Sequence, residues 1–485
     1  MHSPIITPEQ MRASEEAAFA GGVKAGRLME QAGKGIARSV AKFFPRPGKC
    51  ILFAGKGNNA GDGLVAARWL AEAGWQIETR LIFPPNELSS LTKRMLRALG
   101  KPARDDNDGG GPTVILDGLL GLGAKPPLRE PIRSACREIN ALRERGAFVV
   151  ALDLPTGLDG DSGAADDACV VADFTFTIGF TKRGLVVDDA LNFVGRLEVI
   201  GLEELNTDAG GAEVAIPETL RDLLPRRKFS AYKNQFGRVG IVAGSRGFTG
   251  AAVLCSLGAL RAGAGLVELF VPENIYEIVA AAAAPEVMVK PVKSYGDLLE
   301  EPIDVWAIGP GLGKSRAAQI RQLIRDAEQP MVVDADALNI LADDMAVLKK
   351  ARGPRLLTPH PGEMKRIFPT RKTSRADWAT KFCREYKATL LLKGSRTIVA
   401  ERNRPLSYNT TGTPGMATGG MGDVLTGVCG GLLGAKLAPN DAARLGAWLC
   451  GRAAELALSR DGASEESLLP SDVLDHLGMA FRELR

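Results

Sequence analysis

The stretch CILFAGKGNNAGDGLVAARWLAEA, residues 50–73, runs from an apolar segment through a glycine-rich turn into a helix pattern. Cys50–Ala54 is short, apolar and closed by Gly55, as a buried strand is, and Leu64–Ala73 reads as the helix that follows. The same order returns downstream. Gln76–Ile82, Val114–Leu116 and Phe148–Leu152 predict further strands, and the last two run into Asp117 and Asp153. Strands alternating with helices imply an α/β fold with a mostly parallel sheet, whose ligands sit at the carboxyl ends of the strands. Upstream, Thr7-Pro8-Glu9-Gln10 predicts a helix start with Thr as N-cap, and the helical pattern continues through Ala41.

A second α/β pattern begins at Arg238–Ala243 and continues with strands predicted at Val305–Ile308, Met331–Val333, Arg355–Leu357 and Thr389–Leu392. Between the two patterns, residues 201–227 combine acidic residues, an Asp-Ala-Gly-Gly turn, two prolines and a basic cluster. This predicts domains at 1–215 and 222–485, and with no short-period repeat they read as two different domains.

Composition narrows the function classes. A formal charge of +4 spread over 485 residues gives no basic patch for nucleic acid. The seven cysteines form no CxxC pair and the chain has only three histidines, so reduced core thiols are expected rather than a zinc site. No basic-then-apolar leader is visible, and Asp423 and Lys436 interrupt the one glycine-rich apolar stretch, so no membrane span is expected. The expected location is the cytoplasm.

Within the first pattern, GKGNNAGDG (55–63) lies between a strand and a helix. Glycines admit a close ligand, and a helix N-terminus attracts phosphate. Asn58, Asn59 and Asp62 add hydrogen-bonding groups that a plain phosphate loop does not need; the same residues also fit an ordinary polar turn. Asp117 precedes GLLGLGAKPP (118–127) and Asp153 precedes LPTGLDGDSG (154–163). Carboxylates at strand ends beside glycine loops can hold a cation, exchange protons, or cap a helix.

Within the second pattern, NTTGTPGMATGGMGD (409–423) leads into a small-residue helix. Successive backbone N–H groups there would form an anion hole, with Asp423 placed to exchange a proton with a nearby hydroxyl. The alternative is a glycine-rich turn whose aspartate caps the helix. His360, between Pro359 and Pro361, is either a ligand contact or a structural residue.

Taken together, the segments around 55–63, 117–127 and 153–163 resemble the N-terminal domain of the YjeF family, the NAD(P)H-hydrate epimerases. The resemblance implies a Rossmann-like three-layer domain acting on NADH or NADPH that has gained water across a nicotinamide double bond (NADHX, NADPHX). It implies that Asn58, Asn59, Ala60, Gly61 and Asp62, with Gly121, Leu122, Gly123, Ala124, Lys125, Pro126 and Pro127, hold the nucleotide. Asn59, Asp117 and Thr156 would coordinate potassium, and Asp153 would bind substrate and move the proton at the reacting carbon. Ala60 stands where the family usually has Gly and Thr156 where Ser is common; Thr156 keeps the hydroxyl, whereas Ala60 would be strained if its φ were positive.

The run ending at Asp423 resembles the ribokinase-like superfamily. YKNQFGRVGIVAGS (232–245), GPGLG (309–313), DADALN (334–339) and LTPHPGE (357–363) narrow it to the ADP-dependent NAD(P)H-hydrate dehydratases. The resemblance implies a ribokinase-like α/β domain in which Ala251, Gly311, His360 and Asp423 meet the hydrated nucleotide. Lys393, Gly394, Ser395, Arg396, Thr397 and Gly422 would bind the adenine nucleotide, and Asp423 would be catalytic. ADP as phosphoryl donor, Mg2+ and a homo-oligomeric state are also implied. Thr413 replaces a common Asn. Two other functions fit parts of the pattern: an ATP-dependent vitamin or sugar kinase, and an N-terminal half that binds nucleotide without catalysis.

Overall fold

The computed structural model describes residues 3–100, 110–123, 125–224, 226–370, 373–460 and 462–485. The described chain divides into two compact units, one ending at Gly211 and the other beginning at Ala212.

The first unit contains β1 (Ile5–Ile6), β2 (Lys49–Ala54), β3 (Gln76–Leu81), β4 (Thr113–Gly118), β5 (Phe148–Leu152), β6 (Phe174–Ile178), β7 (Thr181–Lys182) and β8 (Arg196–Ile200). Six of these form a parallel sheet in the order β3-β2-β4-β5-β6-β8. The central strands are apolar along their length because both sheet faces are covered. Cys50, Leu52 and Ala54 pack on the side of helices Ala25–Phe43 and Asn58–Glu72, while Ile51 and Phe53 pack on the side of helix Ile132–Glu144. This makes three layers. From β2 the chain steps outward to β3 and then returns across β2 to β4, so a topological switch point lies between β2 and β4. The short strands β1 and β7 pair parallel, with Ile6 opposite Lys182.

The N-terminal helical pattern is interrupted. It forms helices Pro8–Ala20 and Ala25–Phe43, separated at Gly22, whose φ of +90° suits glycine alone. Thr7 and Gln10 form a reciprocal capping box.

The second unit adds β9 (Ala212–Ala215), β10 (Arg238–Val242), β11 (Leu266–Pro272), β12 (Val287–Val292), β13 (Val305–Ile308), β14 (Met331–Val333), β15 (Arg355–Leu357), β16 (Thr389–Leu392), β17 (Ile398–Ala400) and β18 (Leu406–Asn409). They form one sheet ordered β12-β11-β10-β13-β14-β15-β16-β17-β18-β9. Its switch point lies between β10 and β13. Residues 212–215, expected at the end of the first domain, are instead an edge strand here: β9 pairs parallel with β18 and buries Val214 and Ala215.

Helix Met421–Gly434 packs on helix Thr249–Arg261 at very close range. A Cβ on Gly427 would stand 1.9 Å from the Cys255 carbonyl oxygen, so the glycines of GVCGGLLG are a packing surface. All seven cysteines are buried free thiols. No described helix is long and apolar enough to cross a membrane.

Candidate active sites

At the switch point of the first sheet, the helix after β2 starts at Asn58. Residues 58–62 therefore form its first turn and a half, and the expected loop is confined to 55–57. Ala60 is fully buried within the helix and is not among the positive-φ residues, so its methyl brings no backbone strain. Asn59 is 8% exposed; its Nδ2 donates to the Leu120 carbonyl at 2.8 Å, while its Oδ1 is buried without a hydrogen-bond partner.

The neighbouring groups form a connected set. Thr156 donates from Oγ1 to Asp117 Oδ1 at 2.7 Å and from its backbone N–H to Asp117 Oδ2 at 2.8 Å. Leu120 N–H in turn donates to Thr156 Oγ1 at 3.2 Å. Burial pushes the Asp117 carboxyl up to about 6, although hydrogen bonds from Thr156 and Leu119 oppose the shift. Asn59, Asp117 and Thr156 are thus joined through Leu120. An orphaned amide oxygen linked through Leu120 to a buried carboxylate that makes no ion pair among the described residues is the donor chemistry a hard cation needs.

Asp153 follows β5 with a left-handed φ of +67°, a conformation uncommon outside glycine. Its Oδ1 accepts from Ile178 N–H at 3.1 Å and forms an ion pair with Lys182 Nζ. Lys182 is fully buried, and its ammonium also donates to Thr177 Oγ1 at 3.2 Å and to the Ile178 carbonyl at 2.7 Å. Asp153 lines a cleft of about 370 Å³ together with Asn58, Asn59, Asp62, Gly121–Gly123 and Glu15. Burial first, then the charge of Asp153, raise the carboxyls of both Asp62 and Glu15 above their usual range. Gly121 abuts Asn59, and Arg12 donates to the Leu122 carbonyl at 3.2 Å. Ala124 lies outside the described residues, and Lys125, Pro126 and Pro127 are not on the cleft's lining.

Sequence reasoning missed Lys182 and Glu15. Lys182 sits in a two-residue strand with no pattern to mark its burial, and Glu15 reads as one of several acids on a solvated helix face.

In the second unit the expected residues sit at successive strand ends. Gly311, after β13, has φ +58°, and a Cβ there would come within 3.0 Å of the Ala251 Cβ and 2.8 Å of the Phe248 Cβ. Phe248 is 64% exposed beside this contact, and the sequence reading did not single it out. After β14 comes Asp334, 1% exposed, which accepts from Thr426 Oγ1 at 2.6 Å and from Lys393 Nζ at 2.8 Å. It too was missed as a polar centre. After β15, His360 caps helix Pro361–Ile367: its Nδ1 accepts from Gly362 N–H at 3.0 Å, and its backbone N–H donates to Glu363 Oε2 at 2.9 Å. The imidazole is therefore both a helix cap and, with its side chain 53% exposed, open to a ligand.

Lys393, after β16, points at Asp334 and lies 3.9 Å from Glu363. The loop beyond it exposes Gly394 and Ser395; Arg396 Nη1 donates to the Ser395 carbonyl at 3.3 Å, and Thr397 Oγ1 to the Gly394 carbonyl at 3.1 Å. Gly420 (φ +96°) turns the chain into helix Met421–Gly434. A Cβ on Gly422 would lie 3.4 Å from Lys393 Nζ and 3.7 Å from Asp334 Oδ2, which sets the helix start close to that pair. Asp423 is in the first helical turn. Burial foremost, then the charges of Asp334 and Asp336, push its carboxyl up to about 7 against the pull of Lys393. Thr413 is a local turn device: its Oγ1 donates to Glu465 at 3.0 Å and accepts from Gly415 N–H at 3.3 Å.

Residues 25–184 match the family model described as YjeF-related protein N-terminus, and residues 239–477 match the one described as NAD(P)H-hydrate dehydratase. The bifunctional NAD(P)H-hydrate repair enzyme of Moorella thermoacetica is 37% identical, covering 94% of this chain and 92% of that protein. The enzyme of the same name from Gloeobacter violaceus is 36% identical, covering 92% and 94%. Among solved structures, the ADP/ATP-dependent NAD(P)H-hydrate dehydratase of Bacillus subtilis, co-crystallised with ATP and Mg2+, is 30% identical with a TM-score of 0.51. It covers 57% of this chain and 100% of its own.

Proposed function

The chain belongs to the family of bifunctional NAD(P)H-hydrate repair enzymes, and from that premise we propose a division of labour between its two clefts. The N-terminal cleft interconverts the R and S hydrates of NADH and NADPH. The C-terminal site dehydrates the S form while ADP becomes AMP and phosphate. The observation that carries this reading is the presence, in each unit, of a carboxylate with its own buried polar support: Asp153 with Lys182, and Asp423 beside the Asp334–Lys393 pair.

In the C-terminal site, hydroxide is a poor leaving group. The substrate hydroxyl gives its proton to Asp423 as its oxygen attacks the terminal phosphorus of ADP, and AMP departs. Loss of phosphate, with a proton from the neighbouring carbon, then restores the ring double bond. Phosphoryl transfer asks a protein mainly for positioning and charge stabilisation. The loop Lys393–Thr397 and Gly422 at the helix start supply backbone donors for the adenine nucleotide, and Ala251, Gly311 and His360 border the hydrated ring. A divalent ion such as Mg2+ would neutralise the diphosphate. Among the described residues no group of three or more His, Cys, Asp or Glu side chains could hold a metal by itself, which suits an ion carried in by the nucleotide.

In the N-terminal site, Asn59 Oδ1, Asp117 and Thr156 would hold a potassium ion, whose charge would offset the burial of Asp117. Asp153 accepts a proton at the reacting carbon's substituents, and the turn 58–62 with Gly121–Gly123 holds the nucleotide. Buried reduced thiols accord with a cytoplasmic protein.

The test is recovery of reduced-nicotinamide absorbance from mixed R and S NADPH hydrate with ADP and Mg2+. Full recovery, faster than spontaneous interconversion, is expected. Recovery of the S form alone would reduce the N-terminal unit to a binding module, and no recovery with ADP or ATP would overturn the reading.

A further inference from the structure

Resting on the epimerase reading above, we propose that Glu15 is the proton donor of the N-terminal cleft it lines together with Asp153. Inversion would then proceed by departure of the substrate hydroxyl and return of water on the other face.

The argument starts from what the other groups can do. An ammonium has three N–H donors, and those of Lys182 are directed at Asp153, Thr177 and the Ile178 carbonyl. It has none left for a substrate. Asp153 Oδ1 is engaged by Lys182 and Ile178, which leaves Oδ2 as an acceptor towards the cleft. Asp117 is fully buried, with both oxygens accepting from Thr156. These three groups provide a base and a cation seat but no acid; the other ionisable side chains on the lining are Glu15, Asp62 and Lys56, whose ammonium lies over the Phe83 ring at 4.9 Å.

Glu15 fills that gap. It hangs from helix Pro8–Ala20, lines the cleft with Asp153, and among the described residues makes no hydrogen bond or ion pair. The charged groups that act on it are Asp153 and Glu16, which favour its protonated form, and Lys182 and Arg12, which oppose it; burial outweighs them all and favours the proton. Asp62 is the other unpaired carboxyl, but it sits in the helix turn beside Asn59, on the wall that holds the nucleotide. The cleft is shown to be built for a ligand by an independent feature, the buried and unpartnered Asn59 Oδ1.

The chemistry balances. Adding water to an enamine places the hydroxyl on the carbon bonded to the ring nitrogen. Glu15 protonates that hydroxyl; the C–O bond breaks with its electron pair going to oxygen, and water leaves. The nitrogen lone pair closes a C=N+ bond. A second water adds to the opposite face, its electron pair forming the new C–O bond and neutralising the nitrogen, and its proton goes to Asp153. Return of that proton to Glu15 through water resets the site, with no oxidant or reductant consumed.

The first experiment uses wild-type full-length protein in heavy-oxygen water with R-NADPH hydrate and no ADP. One labelled oxygen per enzymatic inversion is expected, and inversion with the original oxygen retained overturns the proposal. Failure of wild type to invert at all would instead sink the epimerase reading itself, a distinct result. The second compares Glu15→Gln with Glu15→Asp. For Glu15→Gln, kcat should fall about 100-fold or more, the range of general acid catalysis, with KM within about threefold. Glu15→Asp should regain at least a tenth of wild-type kcat. A near-wild-type kcat in Glu15→Gln, a change in KM alone, or a larger kcat loss in Asp62→Asn than in Glu15→Gln would overturn it. The label experiment needs no variant and stands even if Glu15→Gln fails to fold.

Discussion

The two units each set an aspartate near a buried lysine, Asp153 at the end of β5 and Asp423 in the first turn of helix Met421–Gly434, and treat its charge in opposite ways. In the first unit a buried lysine is spent entirely on the aspartate side of the cleft: Lys182 pairs with Asp153 directly. In the second unit the nearby lysine is diverted. Lys393 pairs with Asp334, whose negative charge then helps to raise Asp423 towards neutrality. The first arrangement fixes an anion in place, while the second leaves a carboxyl that exchanges its proton near physiological pH. The two units thus differ in which aspartate the nearby lysine pairs with.

The sharpest way to break this contrast is Asp423→Asn, which should lower dehydration about 10³-fold with inversion in the N-terminal cleft unchanged. Loss of both activities would mean that the units are not chemically independent. Next in size is Lys182→Met. It leaves Asp153 without its buried partner, so inversion should fall about 100-fold and the unit should lose about 3–5 kcal/mol in chemical denaturation. An unchanged denaturation midpoint would refute the fixed-anion description.

The pH profile tests the other half. If Asp423 accepts the hydroxyl proton, its active form is the carboxylate, so dehydratase kcat/KM should rise with pH through about 7. Asp334→Asn removes a charge that raises Asp423 and frees Lys393 to lower it, so this limb should move to lower pH. Movement to higher pH would contradict the assigned causes.

A smaller effect concerns Asp117. Its folded carboxyl titrates at about 6, above the ordinary aspartate value of about 3.9. Stability from this group is therefore greatest in acid and is lost as pH rises through 6. Potassium, which would favour the ionised form, should raise the thermal midpoint more at pH 8 than at pH 5, and Asn59→Ala should shrink that gain. The smallest expected change is His360→Ala, a few-fold rise in the dehydratase KM together with a modest loss of stability of about 1 kcal/mol from the missing helix cap.

How much of this was legible depended on burial. Most strands read correctly from sequence are buried on both faces, such as Cys50–Ala54 and Thr389–Leu392, where apolar residues run without interruption; the edge strand β3, with QIETRL, was read from its place after the first helix pattern. β8, with Arg196 and Glu198 at a sheet edge, and β12, with Lys290 and Pro291, lack that run. They went unassigned, as did β6, β11, β17, β18 and the short strands β1, β7 and β9. The glycine loops and strand-end aspartates stood out because ligand sites concentrate unusual residues at strand ends. Lys182 and Glu15 gave no such signal, and Asp334, though it stands at a strand end in DADALN, gave none of its pairing with Lys393. Each is an ordinary charged residue whose role comes from tertiary neighbours, and a lysine's three saturated donors or a glutamate's lack of partners has no local sequence pattern.

Strand β9 carries a practical message about dissecting the molecule. A fragment begun at residue 222 would look complete by motif, yet it would strip the outer neighbour from Leu406–Asn409. That would bare a row of amide and carbonyl groups, the sticky rim through which sheets recruit one another into aggregates. Begun at Gly211, the same fragment keeps Leu406–Asn409 paired with its native neighbour, and the short strand β9 remains the sheet's edge. Four residues of a short edge strand thus decide which backbone rim this half of the protein presents to its neighbours when studied alone.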